Sequence, residues 1–539
     1  MSNFTRRQFC KYLGASTVGP LAGGCSQSPK ALTCEGPAVN SSAFLAIPPY
    51  AQSDFFPCID VHGHFFNATD MQAGGYLSGP VASSFGLKEK FRRAAETFGR
   101  LLDRTASRIV PSASEELEYI AKLEEEFSIR QFEIQSFDQQ EALKNNIERR
   151  IKDDADRRKE IITEEFFEFL SNEDFSNEYN TLVENELSGP DRFRFSLDKQ
   201  FIRQALDDEY HTTQNEAQFM NFKFWEIGLW VTSLIAFSGR MCSYRVDNIQ
   251  KYRSQYYEKP RDVKIISAAN AMVDFDRWVG KDEPHSSLKE QIKLNSKLAQ
   301  IHGGYIFNLV SFNPWHVIEF GNSYLDIIEC SLQDDTFKGV KIYPPIGYFP
   351  WNNETRKIER PAPYPEGKLK ELDQALGNLY EICGNKYPVM AHGANSMGTR
   401  INYNVMAGPK GWQDALTKYP DLKVLIGHFG AEGNGWTSTY VDMMKKIGGL
   451  YADLGYWEEL QNNDRQFEEL YRLLEVDIGG NKKASSRVMF GTGWFMTIME
   501  SGWKSYLEEF YYRFKSKNND EVLNNVFFNN AKIFFDLQL

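Results

Sequence analysis

The residues best equipped for chemistry are histidines that close short apolar runs. In Pro57-Cys-Ile-Asp-Val-His-Gly-His64, His62 and His64 stand two apart. On a β-strand both imidazoles leave by one face, where they can grip a single ion. Two further histidines share this setting: His392 ends Tyr387-Pro-Val-Met-Ala-His392, and His428 ends Leu422-Lys-Val-Leu-Ile-Gly-His428. A last run, Arg487-Val-Met-Phe-Gly-Thr-Gly-Trp494, has the same strand-then-turn form.

Strand ends that converge on one point require elements that gather them. A (β/α)8 TIM barrel of parallel strands does so at its C-terminal rim. Val263 to Asp274 is predicted as the second strand, Tyr305 to Pro314 as the third and Gly449 to Gly455 as the seventh. Asp274, Asn313 and Trp315 then fall at the rim, where they line a substrate or serve turns and caps. Asp60, two residues before His62, would share its face and hold an imidazole from behind, or cap a turn.

These residues resemble the amidohydrolase superfamily, and within it the branch of metal-dependent hydrolases and aminocarboxymuconate-semialdehyde-type decarboxylases. The likeness covers residues 51–85 and roughly 262–539. It matches His62, His64, His392 and His428 as metal ligands, and Gly339-Val-Lys-Ile-Tyr-Pro-Pro345 as the fourth strand. The resemblance implies one divalent metal ion; zinc suits a histidine-rich site best, with manganese or iron tolerated.

One position departs from the pattern. The family's last strand usually ends Phe-Gly-(Ser/Thr)-Asp-Trp, and this chain reads Phe490-Gly-Thr-Gly-Trp494. Gly493 can neither bind metal nor take a proton, so Asp453 and Glu432 are the candidate substitute bases. Losing a general base typically costs about 10²- to 10⁴-fold. Gly493→Asp discriminates: a large gain of hydrolysis marks a degenerate enzyme, and unchanged activity means that another base is used or none is needed. Lys341, Tyr343, Asn395, Arg400 and Trp494 are the candidate substrate-binding residues, with Lys341 and Arg400 suited to a carboxylate. Lys341 also stands where relatives elsewhere in the superfamily carry a carboxylated lysine.

The resemblance implies metal-activated water attacking an amide, ester or lactone carbonyl of a small organic molecule. The alternatives are a catalytically degenerate metal- and ligand-binding lipoprotein, and a non-oxidative decarboxylase. The net charge of −12 and the lack of a long basic run argue against nucleic acid as a partner.

At the N-terminus, Thr5-Arg-Arg-Gln-Phe-Cys-Lys11 has the twin arginines of a Tat export signal. Cys25 resembles a lipidation cysteine and Ser26 suits sorting to the outer membrane, so the membrane is met only through an N-terminal lipid anchor, on its periplasmic face. The domain reading is 1–25 signal, 26–50 linker, 51–85 barrel start, 86–261 α-helical insertion and 262–539 remainder of the barrel. Apolar residues at three- and four-residue steps in 115–127 and 147–162 mark amphipathic helices. The insertion is read as a lid or wall over the pocket, or as a contact in a homo-oligomer. Cys34, Cys58, Cys242, Cys330 and Cys383 are read as buried thiols.

Overall fold

The computed structural model describes residues 43–48, 55–81, 89–131, 136–171, 198–207, 222–274, 284–356, 366–431, 433, 435–457, 459–500 and 502–539. The segment carrying the export signal and Cys25, and also Glu432, lie outside the described residues.

Eight parallel strands follow one another round a barrel: β1 (Phe56–Gly63), β2 (Val263–Ala271), β3 (Ile306–Phe312), β4 (Phe337–Ile342), β5 (Val389–His392), β6 (Val424–Gly427), β7 (Leu450–Asp453) and β8 (Val488–Met489). Each pairs with its successor in sequence, the pattern that right-handed βα crossovers produce. The ring closes between β1 and the segment after β8, where Val61 N–H donates to Phe490 O at 3.1 Å and Gly493 N–H donates to His62 O at 2.7 Å. The fold is a (β/α)8 barrel.

Ile59, Val61, Ala269, Ala271, Phe307, Leu309, Met390, Leu425 and Met489 form one inner cluster. Phe534 packs on Tyr451 and Phe535 on Phe307, close to where β7 and β3 begin. Apolar packing therefore fills the lower barrel, and the polar groups collect at the other end.

Among the described residues, six helices of eight or more residues lie between β1 and β2: α1 (Glu89–Ala106), α2 (Ala113–Gln131), α3 (Phe137–Leu170), α4 (Lys199–Leu206), α5 (Phe222–Met241) and α6 (Arg245–Arg253). In α3 the buried Leu143, Ile147 and Ile151, then Ile162, Phe166 and Leu170, recur every four residues. That stripe needs apolar partners, because a helix this charged gains most of its stability from the face it buries. Among the described residues no helix is long and apolar enough to cross a membrane.

The insertion is joined to the barrel by a buried ion cluster at the start of α6. Arg245 is 0% exposed; its Nε donates to Asp70 Oδ2 at 2.9 Å and its Nη1 to Glu116 Oε2 at 2.9 Å. Glu116 also accepts from the backbone N–H groups of Arg245 and Val246, at 3.0 and 2.8 Å, so it satisfies the first turn of α6. Asp70 belongs to the loop that leaves β1, and Glu116 to α2. One guanidinium thus ties two insertion helices to the strand that carries His62 and His64.

One cysteine departs from the sequence reading. Cys58, Cys242 and Cys383 are buried free thiols, but Cys330 is disulfide-bonded.

Candidate functional site

The site begins with an irregularity in β1. Between Asp60 and Gly63 this strand carries one residue more than its partner β2. Strict alternation would put Asp60 and His62 on one face, but the slip separates them. Asp60 does not hold an imidazole; its carboxylate accepts from Tyr252 OH and Thr492 Oγ1, both at 2.6 Å, and from the backbone N–H groups of His62 and Thr492, at 2.9 and 3.0 Å. Burial raises the Asp60 pKa against these hydrogen bonds, which favour its charged form. Asp60 therefore fastens β1 to the loop after β8.

His62 turns inward to meet the other histidines. Ring centroids are 5.1 Å apart for His62 and His64, 4.5 Å for His62 and His428, and 4.8 Å for His392 and His428. Three of the Nδ1 atoms meet an acceptor. His62 Nδ1 lies 3.0 Å from Asp453 Oδ1, His64 Nδ1 2.7 Å from Ala271 O, and His428 Nδ1 2.8 Å from Gly455 O. His392 bonds the Ser396 backbone while its Nε2 is buried without a partner. With acceptors on Nδ1, the His62, His64 and His428 rings are neutral tautomers whose lone pairs sit on Nε2.

The electrostatics favour the same state. Burial, then the Lys341 charge, holds His62 well below its usual pKa and takes His64 down to about 3. Burial likewise lowers His392 and His428. Lys341, 1% exposed, is brought down to about 8 by burial, and its Nζ stands 3.3 Å from His62 Nε2.

Asp453, at the end of β7, is the organiser that the tertiary fold supplies. Its Oδ1 also accepts from the backbone N–H groups of His428 and Gly455, at 3.1 and 2.9 Å. Its Oδ2 is buried with no partner, and burial raises its pKa. One carboxylate thus fixes the His62 ring and the backbone at His428, and still presents a free oxygen.

Four neutral imidazoles with their acceptors behind them have the donor chemistry that a divalent ion requires. As they stand, no group of three or more His, Cys, Asp or Glu side chains among the described residues is arranged to hold a metal ion. The fit lies in the donor atoms and their tautomers, not in a closed ligand shell.

The remaining candidates separate. Tyr343 stacks on His392 at 4.6 Å and so belongs to the cluster. Asn395 is half-buried on the following loop, with its backbone N–H donating to Ala431 O, and Arg400 is exposed. Trp494 follows the loop after β8, with its indole fully buried among Tyr252, Tyr256 and Trp503 and its Nε1 without a hydrogen-bond partner among the described residues. Asp274 is occupied by His316 Nδ1 at 2.9 Å and Tyr324 OH at 2.8 Å. Sequence reasoning passed over Ser311 and the carbonyls of Ala271 and Gly455. Ser311 was accessible through its parity with Phe307 and Leu309, whereas a carbonyl carries no sequence signal.

Aromatic rings from the segments after β1 and β8 lie beside His64, and one insertion residue packs behind them. Phe66 lies 6.3 Å from His64 and 4.9 Å from Phe495, and Phe237 of α5 lies 5.3 Å from Phe495.

Gly493 is more than a missing carboxylate. Its φ is +75°, and an added Cβ would meet Tyr456 Cβ at 3.2 Å and the Tyr456 backbone N at 3.3 Å. An L side chain in the left-handed region costs about 1–2 kcal/mol. Gly493→Asp is therefore expected to lower stability by about that amount, read as a shift in the urea midpoint, and not to raise hydrolysis.

Residues 310–537, less than half of the chain, match the family described as Amidohydrolase (Amidohydro_2). No match was found among curated proteins. Among solved structures, an uncharacterised TIM-barrel protein from Bordetella bronchiseptica is 15% identical over 56% of this chain and 84% of its own, with a TM-score of 0.36. Amidohydrolase 2 from Bifidobacterium longum subsp. infantis is 13% identical over 55% and 89%, with a TM-score of 0.30. A 5-carboxyvanillate decarboxylase from Novosphingobium aromaticivorans, with bound manganese, is 14% identical over 51% and 78%, with a TM-score of 0.31.

Proposed function

We propose that the protein is a metal-dependent hydrolase of the amidohydrolase type, in the branch that also holds the aminocarboxymuconate-semialdehyde-type decarboxylases. The observation that carries this reading is the convergence of four histidines, three of them anchored through Nδ1, beside a buried carboxylate with a free oxygen. His62, His64, His392 and His428 would hold one divalent ion, zinc before manganese or iron. Such an ion polarises a carbonyl and makes water acidic enough to attack near neutral pH.

The chain's own residues do the rest. Asp453 keeps the His62 lone pair on Nε2, and its free Oδ2 takes up a proton from the attacking water and returns it to the leaving group. The ring of Tyr343 keeps His392 from turning. Phe66, Phe495 and Phe237 exclude bulk water on the His64 side, which strengthens every charge inside. The substrate is a small organic molecule with an amide, ester or lactone carbonyl.

Elemental analysis after dialysis without chelator is expected to find about one divalent ion per chain. A panel of esters, amides and lactones is expected to show turnover that disappears on chelation. A metal-free chain that still hydrolyses the panel would overturn the reading.

For location, the reading is export by the Tat route and lipid anchoring through Cys25 at the periplasmic face of the outer membrane. Its support is the Arg6-Arg7 pair with Cys25, and the Cys330 disulfide suits an oxidising compartment. Intact mass of the mature protein is expected to show a lipid-modified N-terminus at Cys25; an unmodified one would remove the anchor.

A further inference from the structure

We infer that Ser311, Asn313 and Lys341 form a receptor for a carboxylate, so that the substrate is a small organic acid bearing its hydrolysable carbonyl beside that group. The proposal rests on the hydrolase reading for the reacting carbonyl, and on the following geometry for the acid.

Ser311 is the parallel register partner of Lys341, so their side chains stand side by side on neighbouring strands about 4.8 Å apart. Phe307 and Leu309 of β3 face the inner cluster, and the period of two carries Ser311 and Asn313 to the same face. The reach of Lys341 to His62 shows which way that face points. All three residues are 1% exposed.

Two of their polar atoms are unused. Ser311 Oγ and Asn313 Nδ2 are buried without a hydrogen-bond partner. The other amide atom of Asn313, Oδ1, accepts from Trp315 N–H at 3.1 Å and caps the helix Pro314–Phe320, which fixes the NH₂ as the spare group. Among the described residues, the one side-chain hydrogen bond of Lys341 is with His62 Nε2. Buried donors left open in this way are costly unless something fills them.

A hydroxyl, an NH₂ and an ammonium offer hydrogens and a single positive charge. A carboxylate brings two oxygens, about four acceptor sites and one negative charge. Asp453 already places one negative charge near Lys341; a carboxylate adds its own charge beside the ammonium together with acceptors for Ser311 and Asn313, and a neutral amide adds no charge. Because Lys341 borders the histidines, a carboxylate seated there places the neighbouring carbons of the same molecule beside His62.

The test is calorimetric titration of the full chain with matched acids and amides: acetate and acetamide, benzoate and benzamide, 2-hydroxybenzoate and 2-hydroxybenzamide. At least one acid is expected to bind tenfold or more tightly than its amide. Asn313→Asp keeps the capping oxygen and turns the spare donor into an acceptor, and should weaken that acid at least tenfold. Ser311→Ala changes no charge and should weaken it severalfold; thermal melts confirm that both variants are folded.

Lack of acid preference in every pair, unchanged affinity in both variants, or tighter binding of inorganic phosphate would each overturn the proposal. Binding is read without turnover. Ester hydrolysis with no acid preference sinks this inference alone, and acid preference with no hydrolysis sinks the hydrolase reading alone.

Discussion

Replacing Asp453 by asparagine is expected to lower kcat by about 10²- to 10⁴-fold, the range for loss of a general base, with no loss of thermal stability. The amide oxygen can keep the place of Oδ1, where it still accepts from His62 Nδ1 and from the backbone N–H groups of His428 and Gly455. What disappears is the charge and the free Oδ2, which is buried without a partner. Activity and stability should therefore part company. The NH₂ of asparagine would take the place of an oxygen that already lacks a partner, so one unsatisfied buried group replaces another and the melting temperature should change little while turnover falls. Steady-state kinetics on whichever ester the panel yields, set beside a thermal melt, reads both quantities. If kcat is unchanged, Asp453 orients His62 only and moves no proton.

The second large effect concerns stability. Arg245→Ala should cost about 3–5 kcal/mol, as expected when one partner is removed from a buried ion cluster. Asp70 and Glu116, 3% and 0% exposed, would be left as buried carboxylates with their cation gone. The pKa of Glu116 is already raised by burial, with the Arg245 charge acting against that rise. Because Asp70 follows the strand carrying His62 and His64, the damage should reach the site. Urea denaturation gives the magnitude, and limited proteolysis should show cleavage among α1 to α6 before the barrel is cut. A loss under about 1 kcal/mol would mean that water replaces the guanidinium and that the cluster is not sealed.

Much of the fold was legible in sequence because each strand is a short apolar run that ends in a polar group. That pattern gives the direction of the chain and the rim on which His62, His64, His392 and His428 stand. It is local, and local patterns survive without knowledge of their partners. The same reasoning could not supply the neighbours of Trp494, because Tyr252 and Tyr256 come from the insertion and only packing reveals them. It read Gly493 as a deleted carboxylate, because the letter G does not show a φ of +75°.

By itself, then, the sequence determined the strand order, the barrel and the four histidines, since periodicity and spacing are properties of neighbouring residues. The tertiary structure decided the chemistry of those histidines. Asp453 lies 391 residues from His62 and meets it only once the barrel closes. The groups behind His64 and His428 are the backbone carbonyls of Ala271 and Gly455. Every residue carries a carbonyl, and only the bend of the chain selects which one meets an imidazole.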